Sequence, residues 1–117
     1  MSALLLQQSI FVTELVPRLL SWCRATGKVV TAGELWRPPE MVAIYVQRGM
    51  GSATSLHPDR LAIDLNLIVD GELATTVEAY RPMGEYWKQL HRLARWGGDF
   101  KNRPDADHFS MEWMERR

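Results

Sequence analysis

The chain has 117 residues, 46% of them hydrophobic, which is enough for one globular domain with a modest core. Its 14 basic and 14 acidic residues give a formal net charge of zero, so the overall charge does not favour nucleic acid or an anionic membrane surface as a partner. No repeat and no linker rich in glycine, serine or proline indicates a second module. We therefore expect one domain over residues 1–117, acting as a monomer.

The first predicted element is a long amphipathic helix. Apolar residues recur at a helical spacing over residues 5–25, and Gly27 is placed to end the helix. Pro17 lies in the middle, where a missing amide donor and a crowded preceding turn predict a kink or a split. The apolar start at residues 1–6 lacks a basic region and is followed by polar residues, so we expect neither an export signal nor a membrane span. Cys23, the single cysteine, is predicted to be a small core residue.

Strands and a second helix are predicted around the middle of the chain. Residues 29–31 suggest a short strand, and two prolines at positions 38 and 39 open a helix that runs to Gln47. A glycine-rich loop follows over residues 49–54. Residues 61–69 then form an apolar run typical of a central strand, in which alternation places Asp64 on the face opposite the leucines. Asp70-Gly71 after it is a strong turn signal.

The C-terminal third is predicted to contain one helix and one strand. Residues 82–95 carry apolar side chains at helical spacing, with Pro82 at the start and Gly97-Gly98 as the stop. His91 falls within this helix among basic residues, where a solvated surface position is expected. Residues 108–113 are predicted to return as a last strand. This order of helices, short strands and turns indicates an α+β fold around a small, mainly antiparallel sheet.

Histidines and aspartates at specific spacings form a candidate metal site. Ser55 and His57 precede Asp64, which follows that histidine by seven positions. Near the C-terminus, Asp105 precedes His108 by three positions. A hydrolytic zinc site needs about three nitrogen or oxygen ligands and an open position for water. His57, Asp64 and His108 make such a set, and Asp105 remains as a spare carboxylate.

These motifs resemble those of M15-type zinc peptidases, which include D-Ala-D-Ala carboxypeptidases, D-Ala-D-Ala dipeptidases and phage L-alanyl-D-glutamate endopeptidases. Arg60 departs from the first family motif, which has glycine between the ligands. The resemblance covers residues 29–113, is strongest to the phage endolysin branch, and implies a Hedgehog/DD-peptidase-like α+β fold. The motif S-x-H-x-x-G-x-A-x-D is matched by Ser55, His57, Ala62 and Asp64, and the motif E/D-x-x-H by Asp105 and His108.

The resemblance implies a role for each residue of the set. His57, Asp64 and His108 would hold Zn²⁺, with the second nitrogen of each histidine held by an outer partner. Zinc would lower the pKa of water from about 15.7 toward roughly 7 and polarise the scissile carbonyl. Asp105 would act as the general base. Asp107 is a rival for this role, but adjacent side chains in an extended segment point to opposite faces, which favours Asp105.

Three further residues are candidate substrate contacts. Arg37 stands where family members carry an arginine that helps to hold a substrate carboxylate, and its planar guanidinium suits bidentate binding. The alternative for Arg37 is a surface ion pair with Glu34 or Glu40. Ser55 is expected to be an outer hydrogen-bonding group rather than a nucleophile, because no triad partner is identifiable apart from the metal-binding histidine. Trp96, in a Trp-Gly-Gly-Asp-Phe stretch similar to the endolysin branch, either floors the cleft or anchors the core.

Together these expectations favour a zinc-dependent peptidoglycan peptidase. The resemblance implies an endopeptidase that cuts the L-Ala to D-Glu bond of the stem peptide and serves as a phage or prophage lysin. A D-Ala-D-Ala carboxypeptidase with the same zinc, base and arginine is the runner-up. The third hypothesis is a peptidoglycan-binding or regulatory module that keeps the metal site without turnover. Because no export signal is expected, the protein would stay in the host cytoplasm until a phage holin released it to the periplasm and cell wall.

Overall fold

A computed structural model describes residues 1–50 and 54–117, so part of the predicted loop at residues 49–54 lies outside the described residues. Five antiparallel strands form one sheet in the order β1-β2-β5-β4, with β3 also paired to β2. The predicted α+β fold around a small antiparallel sheet is confirmed. The strands are β1 Val29–Ala32, β2 Ala62–Val69, β3 Glu72–Leu73, β4 Ala94–Trp96 and β5 His108–Met111.

Strand β2 lies at the centre of the sheet and carries the predicted alternation. Leu65 and Leu67 are buried in the core, whereas Asp64 between the core positions is only half-buried. Strand β5 pairs with β2 so that His108 lies directly opposite Asp64. Directly opposed residues of neighbouring antiparallel strands bring their side chains close together. The pairing of β2 with β5 therefore joins two parts of the candidate site that are far apart in sequence.

The predicted turn at Asp70-Gly71 links β2 to β3. Asp70 and Gly71 both have left-handed backbone conformations, with φ of 53° and 80°. Two consecutive residues with positive φ are the signature of the tight hairpin turn that aspartate followed by glycine favours. The prediction of this turn is confirmed.

The N-terminal helix is interrupted by a wide turn rather than a sharp kink. Helix α1 (Ala3–Ile10) passes into a π-helical turn at Phe11–Leu15 and then into α2 (Val16–Ala25). Within the wide turn, the N–H of Val16 donates to the carbonyl of Phe11, five residues earlier. Because Pro17 has no amide proton and its ring crowds the preceding turn, a wider turn next to it accommodates the ring. The predicted interruption at Pro17 is confirmed in this form.

One face of this helical stretch packs into the core. Phe11, Leu15, Leu19 and Cys23 are buried there, which confirms the prediction for the cysteine. Within the described part of the chain, Ala3–Ala25 is the one helical stretch that is long and apolar enough, by length and composition alone, to cross a membrane. A core helix of a soluble protein and an N-terminal signal sequence both pass this test.

Helix α3 (Pro39–Gln47) begins at the predicted prolines, whereas the next helix differs from its prediction at both ends. Helix α4 covers Val77–Gln89, with Pro82 inside it rather than at its start. The side chain of Thr76 accepts a hydrogen bond from the N–H of Ala79 at 3.2 Å and thereby caps the helix. A threonine that satisfies a free amide at a helix start outweighs the preference of proline for the first turn.

The predicted end of that helix is a strand. Ala94 and Trp96 of β4 pair with Met111 and Phe109 of β5, so the residues before Gly97 complete the sheet. His91 therefore lies in a turn after α4, half-buried, where its Nδ1 accepts a hydrogen bond from the N–H of Leu93 at 3.1 Å. The interpretation of His91 as a mid-helix residue was wrong, because pairing with β5 overrides the helical spacing of the apolar residues.

Candidate metal centre

The two predicted histidine ligands converge on a carboxylate oxygen of the third predicted ligand, Asp64. Oδ1 of Asp64 lies 3.3 Å from Nε2 of His57 and 3.4 Å from Nδ1 of His108. All three residues can each offer one ligand atom within 4.8 Å of the others. His57 and His108 are buried, and Asp64 is half-buried. The structure thus brings together the two nitrogen donors and the oxygen donor that the sequence suggested as ligands.

The donor atoms fit a small divalent ion. Ligands at about 2.0–2.2 Å from a tetrahedral zinc lie about 3.3–3.6 Å from each other, and Asp64 Oδ1 lies 3.3 and 3.4 Å from the two histidine nitrogens. This oxygen is buried and has no hydrogen-bond partner within residues 1–50 and 54–117. A buried carboxylate oxygen without a donor is costly unless a cation compensates it. The chemistry of the donor set therefore suits zinc.

His57 is held in a tight turn that orients its ring. The N–H of Arg60 donates to the carbonyl of His57 at 3.1 Å, and the N–H of His57 itself donates to Oγ of Ser55 at 3.2 Å. Arg60 adopts a left-handed conformation, φ 58°, which explains why the family motif has glycine at this position. Its guanidinium stacks 4.6 Å from the ring centroid of Trp36, which is half exposed. Arg60 keeps the turn that glycine would form without strain.

The hydrogen bonds of His57 select its metal-facing nitrogen. Nδ1 lies 3.0 Å from the carbonyl oxygen of Leu35, so Nδ1–H donates to this oxygen and leaves the lone pair of Nε2 directed at Asp64. Burial opposes protonation of His57, but the hydrogen bond and charge of Asp64 outweigh it and raise the pKa of the histidine. The carbonyl of Leu35 is the outer partner expected for this ligand.

Asp64 and His108 complete the set of candidate ligands, and they differ in the neighbouring groups that hold them. Burial alone would raise the pKa of Asp64, but the neighbouring rings of His108 and His57 lower it to about 2, so the carboxylate is ionised at neutral pH. Nε2 of His108 is buried and has no hydrogen-bond partner among the described residues. An outer partner was expected for both histidines, and for His108 it stays a prediction.

The two aspartates before His108 lie in a turn, not in an extended segment. The N–H of His108 donates to the carbonyl of Asp105 at 3.1 Å, which closes the turn. Asp64, Asp105 and Asp107 can each bring one oxygen within 4.8 Å of the others. Burial, a hydrogen bond with Asp105 and the charge of Asp64 raise the pKa of Asp107 to about 7. The argument that an extended backbone turns Asp107 away was therefore wrong.

Exposure distinguishes the two aspartates. The side chain of Asp105 is 54% exposed, and its Oδ2 lies 3.8 Å from Nδ1 of His108. Asp105 lines the cleft that opens above the ligands, whereas Asp107 does not. A general base must reach a proton of a substrate or water molecule. The geometry thus favours Asp105 for that role on different grounds from those the sequence offered.

Arg37 lies inside the structure rather than on a solvated surface. It is 7% exposed and lines the cleft, and its ion-pair partner is Glu34, whose Oε1 accepts from Nε at 2.7 Å. The alternative was a surface ion pair with Glu34 or Glu40, and the pair with Glu34 is present but largely buried. Pairing with Glu34 does not remove Arg37 from the cleft, so contact with a substrate carboxylate stays a prediction.

Trp96 packs against the turn that carries Asp105. It is 1% exposed, and its Nε1 donates to the carbonyl of Ala106 at 2.7 Å, within the turn that carries Asp105. Trp96 is thus a core anchor that also lines the cleft, and direct contact with substrate stays a prediction. Ser55 lines the cleft and holds the backbone of His57.

The cleft itself has a volume of about 840 Å³ and a basic lining that sequence reasoning missed. Lys101 and Arg103 form no ion pair with any residue in the described ranges. No local motif signals such a lining, because its members come from separate segments that only the fold brings together. The basic residues are Arg37, Arg95, Lys101, Arg103, Arg116 and Arg117, and the acidic ones are Asp64, Asp99, Asp105 and Glu115.

A mixed histidine and carboxylate centre on an antiparallel sheet, at the floor of an open cleft, defines a metallohydrolase type of site. A family model described as D-alanyl-D-alanine carboxypeptidase matches residues 48–111, which include all three candidate ligands and Asp105. The chain belongs to this family, the M15-type peptidases.

One solved structure supports the fold. The crystal structure of the Serratia marcescens L-Ala D-Glu endopeptidase ChiX matches with a TM-score of 0.69 and 21% sequence identity, covering 86% of this chain and 79% of that one. At this identity the likeness establishes the shared fold. No curated protein matches the chain.

Proposed function

We propose that the protein is a zinc-dependent peptidoglycan hydrolase that cuts the bond between L-alanine and D-glutamate in the stem peptide. The observation that carries this proposal is the convergence of His57 Nε2 and His108 Nδ1 on a buried Asp64 oxygen without another partner among the described residues. A structural site would be closed by a fourth protein ligand, whereas this one lies at the floor of a cleft.

Each residue of the site has a part in this reaction. His57, Asp64 and His108 would hold the zinc, which when bound supplies Lewis-acid polarisation of the carbonyl and a more acidic water. The carboxylate of Asp105 takes the proton from the attacking water and delivers it to the leaving amine. Arg37 offers a guanidinium to a carboxylate of the substrate. Proton transfer of this kind contributes about 100-fold to 10,000-fold in rate.

Two bonds of the stem peptide are candidates. The structural neighbour is an L-Ala D-Glu endopeptidase, and an open cleft of about 840 Å³ can hold chain on both sides of a scissile bond. The family model is described as a D-alanyl-D-alanine carboxypeptidase, which favours removal of a terminal D-Ala as the second candidate. In that case Arg37 would bind the terminal carboxylate of the peptide.

We propose that this domain acts as a monomer in a phage or prophage lysis system. It would remain in the host cytoplasm until a holin opened the route to the cell wall. The support for this part is the motif resemblance to phage endolysins.

The test is mass spectrometry of the soluble products that the zinc-loaded protein releases from purified Gram-negative peptidoglycan. New peptides with N-terminal D-Glu, lost with a chelator and restored by zinc, are the expected result. Release of D-Ala alone would assign the carboxypeptidase. No product from a zinc-loaded protein would overturn the proposed catalysis in favour of a binding module.

A further inference from the structure

The side chain of Glu34 lies between the arginine of the cleft and a candidate metal ligand. Its Oε1 accepts hydrogen bonds from Nε of Arg37 at 2.7 Å and also pairs with Nη2 of that residue. The same oxygen lies 3.7 Å from Nδ1 of His57. Tyr45 donates its hydroxyl proton to Oε2 at 3.5 Å. One carboxylate thus contacts both the candidate substrate-binding group and the edge of the metal site.

Arg37 is restrained on two sides, and its Nη1 is buried without a hydrogen-bond partner among the described residues. Glu34 occupies the edge formed by Nε and Nη2, and the ring of Tyr45 lies 4.8 Å from the guanidinium carbon. A guanidinium fixed along one edge and one face presents its remaining edge in a single direction. That edge is suited to a second carboxylate.

The backbone of Glu34 ties this arrangement to the metal ligands. Its carbonyl accepts a hydrogen bond from the N–H of Asp64 at 2.8 Å. The N–H of Arg37 donates to the carbonyl of His57 at 3.3 Å. The segment that carries the arginine is therefore bonded directly to two of the three candidate ligands.

We propose that Glu34 is a positioning residue that orients Arg37 for a substrate carboxylate at a set distance from the metal ligands. This inference rests on the proposed peptidase function. Without Glu34, the largely buried guanidinium would lose its counter-charge and turn toward other acceptors. The loss would then appear in substrate binding, because the metal ligands and the base would be intact.

The experiment compares Glu34→Gln, Glu34→Asp and Glu40→Gln in the zinc-loaded full-length protein. Glu40 is an exposed glutamate in the first turn of α3 and was the other candidate partner of Arg37, so it provides a matched control. We expect Glu34→Gln to raise KM for a stem peptide roughly tenfold with little change in kcat, in keeping with the loss of one charge-assisted contact. Glu34→Asp should recover part of this loss because it keeps the charge, and Glu40→Gln should match the unmodified protein.

A double-mutant cycle tests whether Glu34 acts through Arg37. In the Arg37→Ala background, Glu34→Gln should have almost no further effect on KM, because coupled residues are not additive. The same tenfold effect in both backgrounds would overturn the proposal. Loss of bound zinc in Glu34→Gln, measured by metal analysis, would also overturn it, since the residue would then act through His57.

Equilibrium binding separates this proposal from the proposed function. The probe is the dipeptide γ-D-Glu-L-Lys, which contains no bond between L-Ala and D-Glu, titrated calorimetrically into each zinc-loaded variant. A Kd about tenfold weaker for Glu34→Gln than for Glu40→Gln would support the positioning role even if the protein hydrolysed nothing. Equal binding by the two variants, or no binding by the unmodified protein, would overturn it.

Discussion

The two aspartates that precede His108 differ in what their carboxylates can reach. Asp105 is 54% exposed and lines the cleft, whereas Asp107 is half-buried and does not line it. Both lie close to Asp64, so their roles can be distinguished only by the groups that they face. Asp105 faces the cleft, so its carboxylate can exchange a proton with substrate. Asp107 does not line the cleft, so it can act only through Asp105.

We predict that Asp105→Asn lowers kcat by about 100-fold to 10,000-fold, whereas Asp107→Asn lowers it by less than about tenfold. Asparagine keeps the shape of each side chain and removes its ability to take a proton. Steady-state kinetics on a stem peptide, with zinc content measured for each variant, would check this. The opposite order at full zinc content would assign the base to Asp107.

Arg60 shows how a residue outside the usual motif can keep the same turn. Its left-handed backbone costs about 1–2 kcal/mol for a residue other than glycine. Stacking of its guanidinium on Trp36 offsets about 0.5–1 kcal/mol of this. Stacking therefore offsets about half of the strain, which leaves a net cost of about 0.5–1 kcal/mol for arginine here.

We therefore predict the order of stability at position 60 as glycine equal to or above arginine, and arginine above alanine. Arg60→Ala loses the stacking and keeps the strain, so its free energy of unfolding should fall by about 0.5–1 kcal/mol. Chemical denaturation of the three proteins measures this order. An alanine variant as stable as the glycine variant would mean that the left-handed backbone is not strained.

At the scale of single residues, the convergence of His57, Asp64 and His108 was predictable because these residues are recognised by spacing. Glu34 was predictable only as a surface partner of Arg37, since no sequence pattern shows that the pair is buried beside His57. Asp107 was misjudged because its backbone was assumed to be extended, and a turn follows from the bond between His108 and Asp105.

The connection from β4 to β5 depends on glycines that let backbone and ring pack closely. A Cβ on Gly97 would lie 2.1 Å from the carbonyl oxygen of Asp105 and 2.8 Å from Cβ of His108. A Cβ on Gly84 would lie 2.1 Å from the ring of Trp96, and one on Gly98 would lie 2.2 Å from it. Gly97 and Gly98 were expected to stop a helix, but together with Gly84 they create room for the indole and for the turn with the candidate base.

We predict that Gly97→Ala reduces activity more than its stability loss explains. The added methyl group must displace the turn that holds Asp105 and His108, so kcat should fall at least about tenfold at a destabilisation of about 1–3 kcal/mol. Gly84→Ala is the comparison, because the three atoms nearest to its added methyl group belong to the ring of Trp96, which contacts the turn through its bond to Ala106. Kinetics below the melting temperature of both variants should show a larger loss for Gly97→Ala, and equal losses would contradict the prediction.

The helices and strands were predictable wherever apolar residues recurred with a single helical or strand spacing. Strand β2 and its turn follow from strict alternation and from Asp70-Gly71. The bounds of α4 did not follow, because the cap at Thr76 lies before the apolar repeat and β4 is a strand only through its pairing with β5. Pairing between segments distant in sequence leaves no local signal.

The charge of the whole molecule hides an uneven distribution. The chain is formally neutral, yet its cleft is lined by six basic and four acidic residues, and two of these acids, Asp64 and Asp105, belong to the candidate metal centre. Lys101 and Arg103 are exposed and form no ion pair with described residues. A cleft with an excess of positive charge attracts a negatively charged substrate and speeds its association.

We predict that the double substitution Lys101→Gln and Arg103→Gln lowers kcat/KM on an anionic stem peptide by about threefold to tenfold and weakens its dependence on salt. Arg18→Gln with Arg24→Gln removes the same charge from α2, outside the cleft, and should have little effect. Rates between low and high ionic strength would check both statements. An equal effect of the two double variants would show that only net charge matters.

Metal binding should stabilise the whole fold, because two candidate ligands lie on the paired strands β2 and β5 and the third, His57, lies in the turn before β2. Zinc at 100 times its Kd should add about 2.7 kcal/mol to the free energy of unfolding. Thermal unfolding with and without chelator measures the shift. His57→Ala should abolish the shift, and His91→Ala, which alters a histidine in a turn away from the candidate ligands, should retain it.

The wide turn at Phe11–Leu15 sets the rotational phase of the helix before it. Each residue of an α-helix advances by about 100°, so deleting one residue there would swing α1 about its axis by roughly that angle. The amides of Gln7 and Gln8, which now reach the carbonyls of Glu112 and Asp59, would then point elsewhere. Those carbonyls lie just beyond β5 and just beyond His57. The π-helical turn beside Pro17 thus orients α1 so that Gln7 and Gln8 can bind the segments that carry His108 and His57.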